Sequence, residues 1–523
     1  MRKIILLLVF FSILLNLSAQ QKYRVYFKDK AGVEFNPEAY FDQKAIDRRI
    51  KHDVSLYDQS DFPLNQNYVG QVREIADAYG FESRWFNFVL VDVSNQKQLD
   101  DLRKLDCVAK IEQSIKVEIL YTAETEFSDE YYDEELMKNQ TERFGGSLLK
   151  EKELDGTGVR IAIFDGGFPE VNTHPSFTHI INQNRLVATW DFIKNKENVF
   201  YGNNHGRMTF ACVGGFWKEN NIGLATGAEY MLAKTEIGTE PFAEEEYWMA
   251  AAEWADKNGA DIINSSLGYG HHRYFTNDMD GKTSLVVKAA HMAARKGILV
   301  VNSAGNEATD SWETIITPAD GDSVLAVGGI DPDLDYHISF SSYGPTADKR
   351  MKPNVSAFGH VVTADKKGLK EVDGTSFSSP LTAGFAACIL QHNPGFTNMD
   401  LFYELEKSGH LYPYFDYAHG YGVPQASYFL DADKKPIQQT FEFIEEDDKL
   451  IVRAILENYN NKNATNSNHL LYYNMEGEDG ILESYYVVEV SQEVVLEFDR
   501  TEMDATPKTI NVHFRGFSSH YKF

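Results

Sequence analysis

The chain has 523 residues, 43% of them hydrophobic and only 15 of them proline, which suits ordered globular material in two or three domains. Asp and Glu number 78 against 50 Lys and Arg, a formal net charge of −28, and this argues against nucleic acid or anionic membrane surfaces as partners, since both need a positive field. Three cysteines, Cys107, Cys212 and Cys388, do not make a disulfide framework; Cys212 and Cys388 lie in apolar helical segments and read as small buried thiols, with a bridge between them as the alternative.

Met1-Arg2-Lys3 precedes an apolar stretch at residues 4–15, with Ser18-Ala19 ahead of Gln20. A basic start, a run short of a membrane span and small residues for cleavage predict a secretory signal peptide over 1–20. Residues 22–118 alternate strand signals (23–27, 85–93, 108–112) with helix signals near 69–79 and 97–105. That order is compatible with a small ferredoxin-like α+β module. An acidic stretch at 124–135 follows, inside a segment 119–144 that reads as a solvated link.

Residues 159–164 are a short apolar run typical of a buried parallel strand, ending in Asp165-Gly166-Gly167. A carboxylate at that end sits where open α/β sheets place their sites, although Asp-Gly is also an ordinary turn. His205-Gly206 opens an apolar helix after the polar Gly202-Asn203-Asn204. Residues 297–302 form another buried strand, and Ser303-Ala304-Gly305-Asn306 then puts an amide on a strand-end loop, where it could cap a turn or donate to an oxyanion. Gly374-Thr375-Ser376 runs into the small apolar segment 381–387. A serine between a glycine turn and a first helical turn is either a helix cap or a nucleophile aided by the helix dipole. After about residue 435, short strand-like runs at 449–455, 485–490, 494–498 and 509–514 suggest a β-sandwich over 436–523.

Taken together, Asp165, His205, Asn306 and Ser376 stand in the order and local settings of the subtilisin-like serine proteases, which the region 145–433 resembles. Residues 261–268, 339–345, 352–359 and 420–424 are similar to further segments of that family. The resemblance implies an α/β fold, a mainly parallel sheet with helices on both faces, preceded by a pro-peptide at 22–118. It implies a secreted serine endopeptidase with Asp165, His205 and Ser376 as the triad and Asn306 as oxyanion donor. Ser266, Leu267 and Gly268 would line the peptide, with Ala304 and Gly305 on the opposite wall. Protein substrates and the chain's own pro-peptide are the expected partners, with no cofactor needed for the chemistry and a monomer expected. The destination is extracellular, with periplasm or cell surface as variants.

Three departures stand out. Gly166 replaces a usual Ser or Thr, Arg207 replaces a usual Thr, and the loop 218–222 looks shorter than the family's calcium-binding loop, which leaves structural calcium open. The alternatives are a catalytically silent binding or adhesion protein on the same fold, and an acid-acting relative in which Glu replaces the histidine. His205-Gly206 argues against the second.

Overall fold

The computed structural model describes residues 21–114, 132–237, 243–271, 273–431, 437–456, 469–503 and 508–523, so the expected signal peptide and most of the acidic stretch lie outside the described residues. The apolar runs form a seven-stranded sheet whose pairings are all parallel. Its order is Val355–Phe358, Val324–Ile330, Leu299–Ser303, Ile262–Ser265, Arg160–Asp165, Glu229–Lys234 and Leu186–Asp191. Strand order turns back between Arg160–Asp165 and Ile262–Ser265, and the crevice at such a reversal is where sheets of this kind bind ligands.

Helices cover both faces. Ile161 and Ile163 join a buried cluster with helices His205–Gly214 and Thr375–His392, whereas Phe164 meets Trp248 of the helix Ala243–Lys257, edge-on at 5.3 Å. Alternation along one strand thus feeds two cores. Residues 134–142, assigned in sequence to the link, are instead the helix Glu134–Glu142. Asp133 caps it by accepting the Glu135 N–H (2.7 Å), and Glu134 and Glu135 fall in the first turn, where the helix dipole favours carboxylates. The last acids of the run therefore start a helix rather than stay solvated. Its Leu136 and Met137 enter the core, and buried Gln140 bonds Ile222 O at 2.7 Å and Val362 O at 3.1 Å.

The described residues 21–35 together with 59–114 form a separate unit. Its antiparallel sheet, ordered Ala78–Ser83, Phe88–Val93, Gln21–Phe27, Val108–Ser114, carries helices Gln66–Arg73 and Gln96–Arg103, the ferredoxin-like arrangement. The helix expected at 69–79 ends at Arg73. Beyond it, Asp77 N–H bonds Asp92 O at 3.0 Å and the chain becomes a strand that the sequence reading missed.

Residues 36–58 belong to the larger unit. The short helix Gln43–Lys51 lies where the helices Ala243–Lys257 and Leu285–Arg295 end, and those ends leave carbonyls without intrahelical partners. Arg48 donates to Lys296 O (3.2 Å), Asp256 O (3.1 Å) and Ala260 O, and both Arg48 and Arg49 pair with the Asp256 carboxylate. All three side chains are buried.

In the C-terminal region, two antiparallel sheets of three and four strands share one buried cluster that includes Phe441, Leu450, Leu471, Ile510 and Phe514. Cys212 and Cys388 are free buried thiols, and burial pushes Cys212 up to about 12, so it is neutral near pH 7. No helix among the described residues is long and apolar enough to cross a membrane.

Replacing both Arg48 and Arg49 with alanine leaves the buried Asp256 carboxylate without these partners, a defect that costs about 3–5 kcal/mol in buried pairs. Calorimetry at a fixed scan rate should show a melting temperature lower by several degrees. An unchanged value would mean that residues 36–58 contribute nothing to the stability of the larger unit.

Candidate functional site

Asp165 ends its strand with a fully buried side chain. A buried carboxylate must be satisfied by donors, and three converge on it. Gly166 N–H donates to Oδ1 at 2.7 Å, Thr209 Oγ1 to Oδ2 at 3.0 Å, and His205 Nδ1 lies 2.9 Å from both oxygens. Thr209 stands one helical turn after His205, so the first turn of His205–Gly214 presents imidazole and hydroxyl to the same carboxylate. It supplies a hydroxyl to the neighbourhood from which Gly166 removes one. Gly206 permits this approach: a Cβ there would fall 2.3 Å from Gly167 O and 2.9 Å from the Asp165 Cβ. The helix start is held by the Asn203 side chain, which accepts the His205 N–H at 2.9 Å. With Nδ1 bonded to the carboxylate, the proton-accepting nitrogen is Nε2.

Ser376 is the second residue of Thr375–His392. Gly374 ahead of it has φ of 142°, which favours glycine and turns the chain sharply into the helix. Pro380, in the second turn, cannot donate to the carbonyl of Ser376 four residues back. That carbonyl instead accepts the Ser266 hydroxyl at 2.7 Å, while Ser376 Oγ lies 3.3 Å from Ser266 O. Beneath them Ser379 Oγ donates to Asn264 Oδ1 at 2.9 Å, and Asn264 Nδ2 to Ser266 Oγ at 3.3 Å. The helix start is thereby fixed to the segment Ser266-Leu267-Gly268 that leaves the neighbouring strand. The His205 ring packs against Phe377 at 5.7 Å between centroids.

Asn306 is exposed on the loop after Leu299–Ser303. Its Oδ1 accepts from both Thr375 N–H and Thr375 Oγ1, each at 2.9 Å. This fixes the amide so that its Nδ2 donors are left for another acceptor, 3.7 Å from where a Cβ on Gly374 would stand. Ala304 and Gly305 precede it, with Gly305 N–H bonded to Thr375 Oγ1 at 3.3 Å. Thr375 and Thr209 are the side chains that sequence reasoning did not single out. The signal for Thr209 was its helical spacing from His205. Arg207 faces away from the cleft, buried against Glu170 and 3.7 Å from Asp365. Its neighbours explain its place without any contact to a substrate. Among the described residues no three His, Cys, Asp or Glu side chains gather so as to hold a metal ion.

A family model described as "Subtilase family" matches residues 156–422, and one described as "Peptidase S8 propeptide domain, Bacteroidota" matches residues 22–128. The second span takes in residues 36–58, which pack within the larger unit. Among curated proteins the chain is similar to Subtilisin DY of Bacillus licheniformis, 30% identical over 257 residues that cover 49% of this chain and 86% of that one. It is similar to M-protease of Shouchella clausii (strain KSM-K16), 27% identical over 47% of this chain and 58% of that one. Serine protease AprX of Bacillus subtilis (strain 168) is 29% identical over 49% of this chain and 62% of that one. A solved structure of a cold adapted subtilisin-like serine proteinase aligns at 24% identity and TM-score 0.40, covering 49% of this chain and 84% of that one.

Thr209→Val deletes one of the three donors to a buried carboxylate, and a hydrogen bond to a charged group is worth about 1.5–3 kcal/mol. The rate at which a fluorophosphonate labels Ser376 should drop about 10-fold or more, the rate equivalent of the lower end of that range. Labelling at the wild-type rate would show that the Thr209 hydroxyl is dispensable to the site.

Proposed function

The chain belongs to the subtilase family, is a serine endopeptidase and carries an N-terminal propeptide, and on that premise we propose that Asp165, His205 and Ser376 form its catalytic triad. The observation that carries the reading is the bond from His205 Nδ1 to the buried, triply bonded Asp165 carboxylate. His205 Nε2 takes the proton from Ser376 Oγ as that oxygen attacks the scissile carbonyl. It then hands the proton to the leaving amine as the peptide bond breaks and an acyl-enzyme forms. Water, activated by the same nitrogen, releases the acid product and restores the serine. Asp165 holds the tautomer and stabilises the imidazolium.

Asn306 Nδ2 and the Ser376 N–H would hold the oxyanion, the amide being oriented in advance by Thr375. The substrate would add as a strand along Ser266-Leu267-Gly268, with Ala304-Gly305 as the facing wall. The chemistry calls for no cofactor. The order of signal peptide, pro-region and catalytic domain supports a secreted precursor that acts outside the cell.

Ser376→Ala should lower turnover by about 10⁶, the magnitude known from subtilisin for triad members that act as a unit. Cleavage of casein by the purified variant at more than a trace rate would refute the assignment. Asn306→Ala should lower it by about 10²–10³, again the subtilisin magnitude for one oxyanion donor. A loss as complete as that of Ser376→Ala, in a folded protein, would show that Asn306 does more than hold an oxyanion.

Maturation should cut the chain between residues 119 and 139, on the N-terminal side of or within the helix Glu134–Glu142. Mass spectrometry should find this cut in wild type and an intact pro-region in Ser376→Ala expressed without other proteases. A fully active wild type with its N-terminus still near residue 20 contradicts an inhibitory pro-region.

A further inference from the structure

The two segments placed beside the substrate, Ser266-Leu267-Gly268 and Ala304-Gly305, are bridged by residues 315–317. Ile316 N–H donates to Ala304 O at 3.2 Å, which ties this bridge to one wall. Thr317 exchanges two backbone bonds with Tyr269, its N–H to Tyr269 O at 3.1 Å and Tyr269 N–H to Thr317 O at 2.8 Å, which ties it to the other. A floor stitched to both walls cannot drop to make room.

From this floor the Ile316 side chain rises between the walls. A Cβ built on Gly268 would fall 2.3 Å from its Cδ1 and 2.5 Å from its Cγ1. One built on Gly305 would fall 3.0 Å from Cγ1 and 3.2 Å from Cδ1. A single sec-butyl group therefore spans from one wall to the other: any Cβ on Gly268 would collide with it, and one on Gly305 would be crowded by it and by Ser342 Oγ at 2.7 Å. Behind it, a Cβ on Gly270 would meet Ile316 Cγ2 at 2.6 Å and the Trp312 ring at 3.2 Å. Ile316 is 7% exposed and clusters with Met279 and Trp312. Branching at Cβ also restricts its rotamers, so the group has nowhere to swing.

A wide, flat side chain preceding the scissile bond needs the space between these walls, and that space is filled. We propose that Ile316 sets the depth of the primary pocket, so that the enzyme cuts after small residues (alanine, serine, glycine) and rejects aromatic and long aliphatic ones. This inference rests on the reading of Ser376 and its flanking walls given above. One methylene in a hydrophobic pocket is worth about 10–200-fold in specificity, and a whole phenyl ring against an occupied slot exceeds that lower bound. Shortening Ile316 should remove the barrier without touching the reacting atoms.

The test uses the processed enzyme with tetrapeptide p-nitroanilides that differ only in alanine or phenylalanine before the cleaved bond, with active enzyme counted by fluorophosphonate uptake. Wild type should favour alanine by at least about 10-fold in kcat/KM, and Ile316→Gly should raise the phenylalanine value by at least about 10-fold, bringing the two close or reversing them. If Ile316→Gly fails to fold, Ile316→Ala makes the same comparison with less lost packing. A wild type that takes up the probe and prefers phenylalanine overturns the pocket inference and leaves the reading of Ser376 standing. Wild type preferring alanine while both shortened variants still reject phenylalanine shows that another group sets the depth. If folded, processed wild type neither takes up probe nor cleaves either peptide, the reading of Ser376 fails and this inference falls with it.

Discussion

The site depends on one constraint, that a carboxylate is held fully buried at the end of a central strand. Asp165 can stay there only while donors surround it. The donors dictate the local architecture. Gly166 must turn so that its N–H points back, the helix that begins at His205 must approach closely enough for two of its side chains to reach the carboxylate, and Gly206 must lack a side chain. The imidazole is oriented by the two contacts of its Nδ1 with this carboxylate.

The second helix is placed by a different device. Proline in a second turn normally weakens a helix by orphaning a carbonyl, and here the orphan belongs to Ser376. Its use as acceptor for Ser266 turns a helix defect into a link between the Ser376 backbone and the segment proposed to bind the substrate. Ser379, Asn264 and Ser266 extend the link into the core as a bonded chain, which favours one arrangement of helix and strand.

Much of this was legible in the sequence, for a physical reason. Asp165, His205, Asn306 and Ser376 each sit where a buried run meets a glycine-rich or polar turn, and that transition is written in adjacent residues. The parallel sheet was legible because strands buried on both faces are apolar throughout. What escaped was set by contacts between distant positions. Nothing near Ile316 marks it as filling a space between residues 268 and 305, and nothing near Gln43–Lys51 says that its arginines meet Asp256. Arg207, which departs from the family's usual Thr, follows His205-Gly206 directly, yet a helix turns consecutive side chains about 100° apart, and its guanidinium pairs with Glu170. The acidic run misled at its end, where Glu134 and Glu135 prove to be first-turn residues of a helix.

The placement of residues 36–58 changes what a single cut can accomplish. Among the described residues the chain crosses between the two units at 35–36 and at 58–59. If the chain is cut between residues 119 and 139, as proposed, the covalent path from the N-terminal fragment to the catalytic chain is broken, while Arg48 and Arg49 still pair with Asp256. The ferredoxin-like unit would then stay tethered to the helix Gln43–Lys51 by its chain connections at 35–36 and 58–59, which keeps its local concentration high. Release of the cut fragment would then require the Arg48 bonds at the ends of the helices Ala243–Lys257 and Leu285–Arg295 to break, so its timing would be set by residues that take no part in cutting.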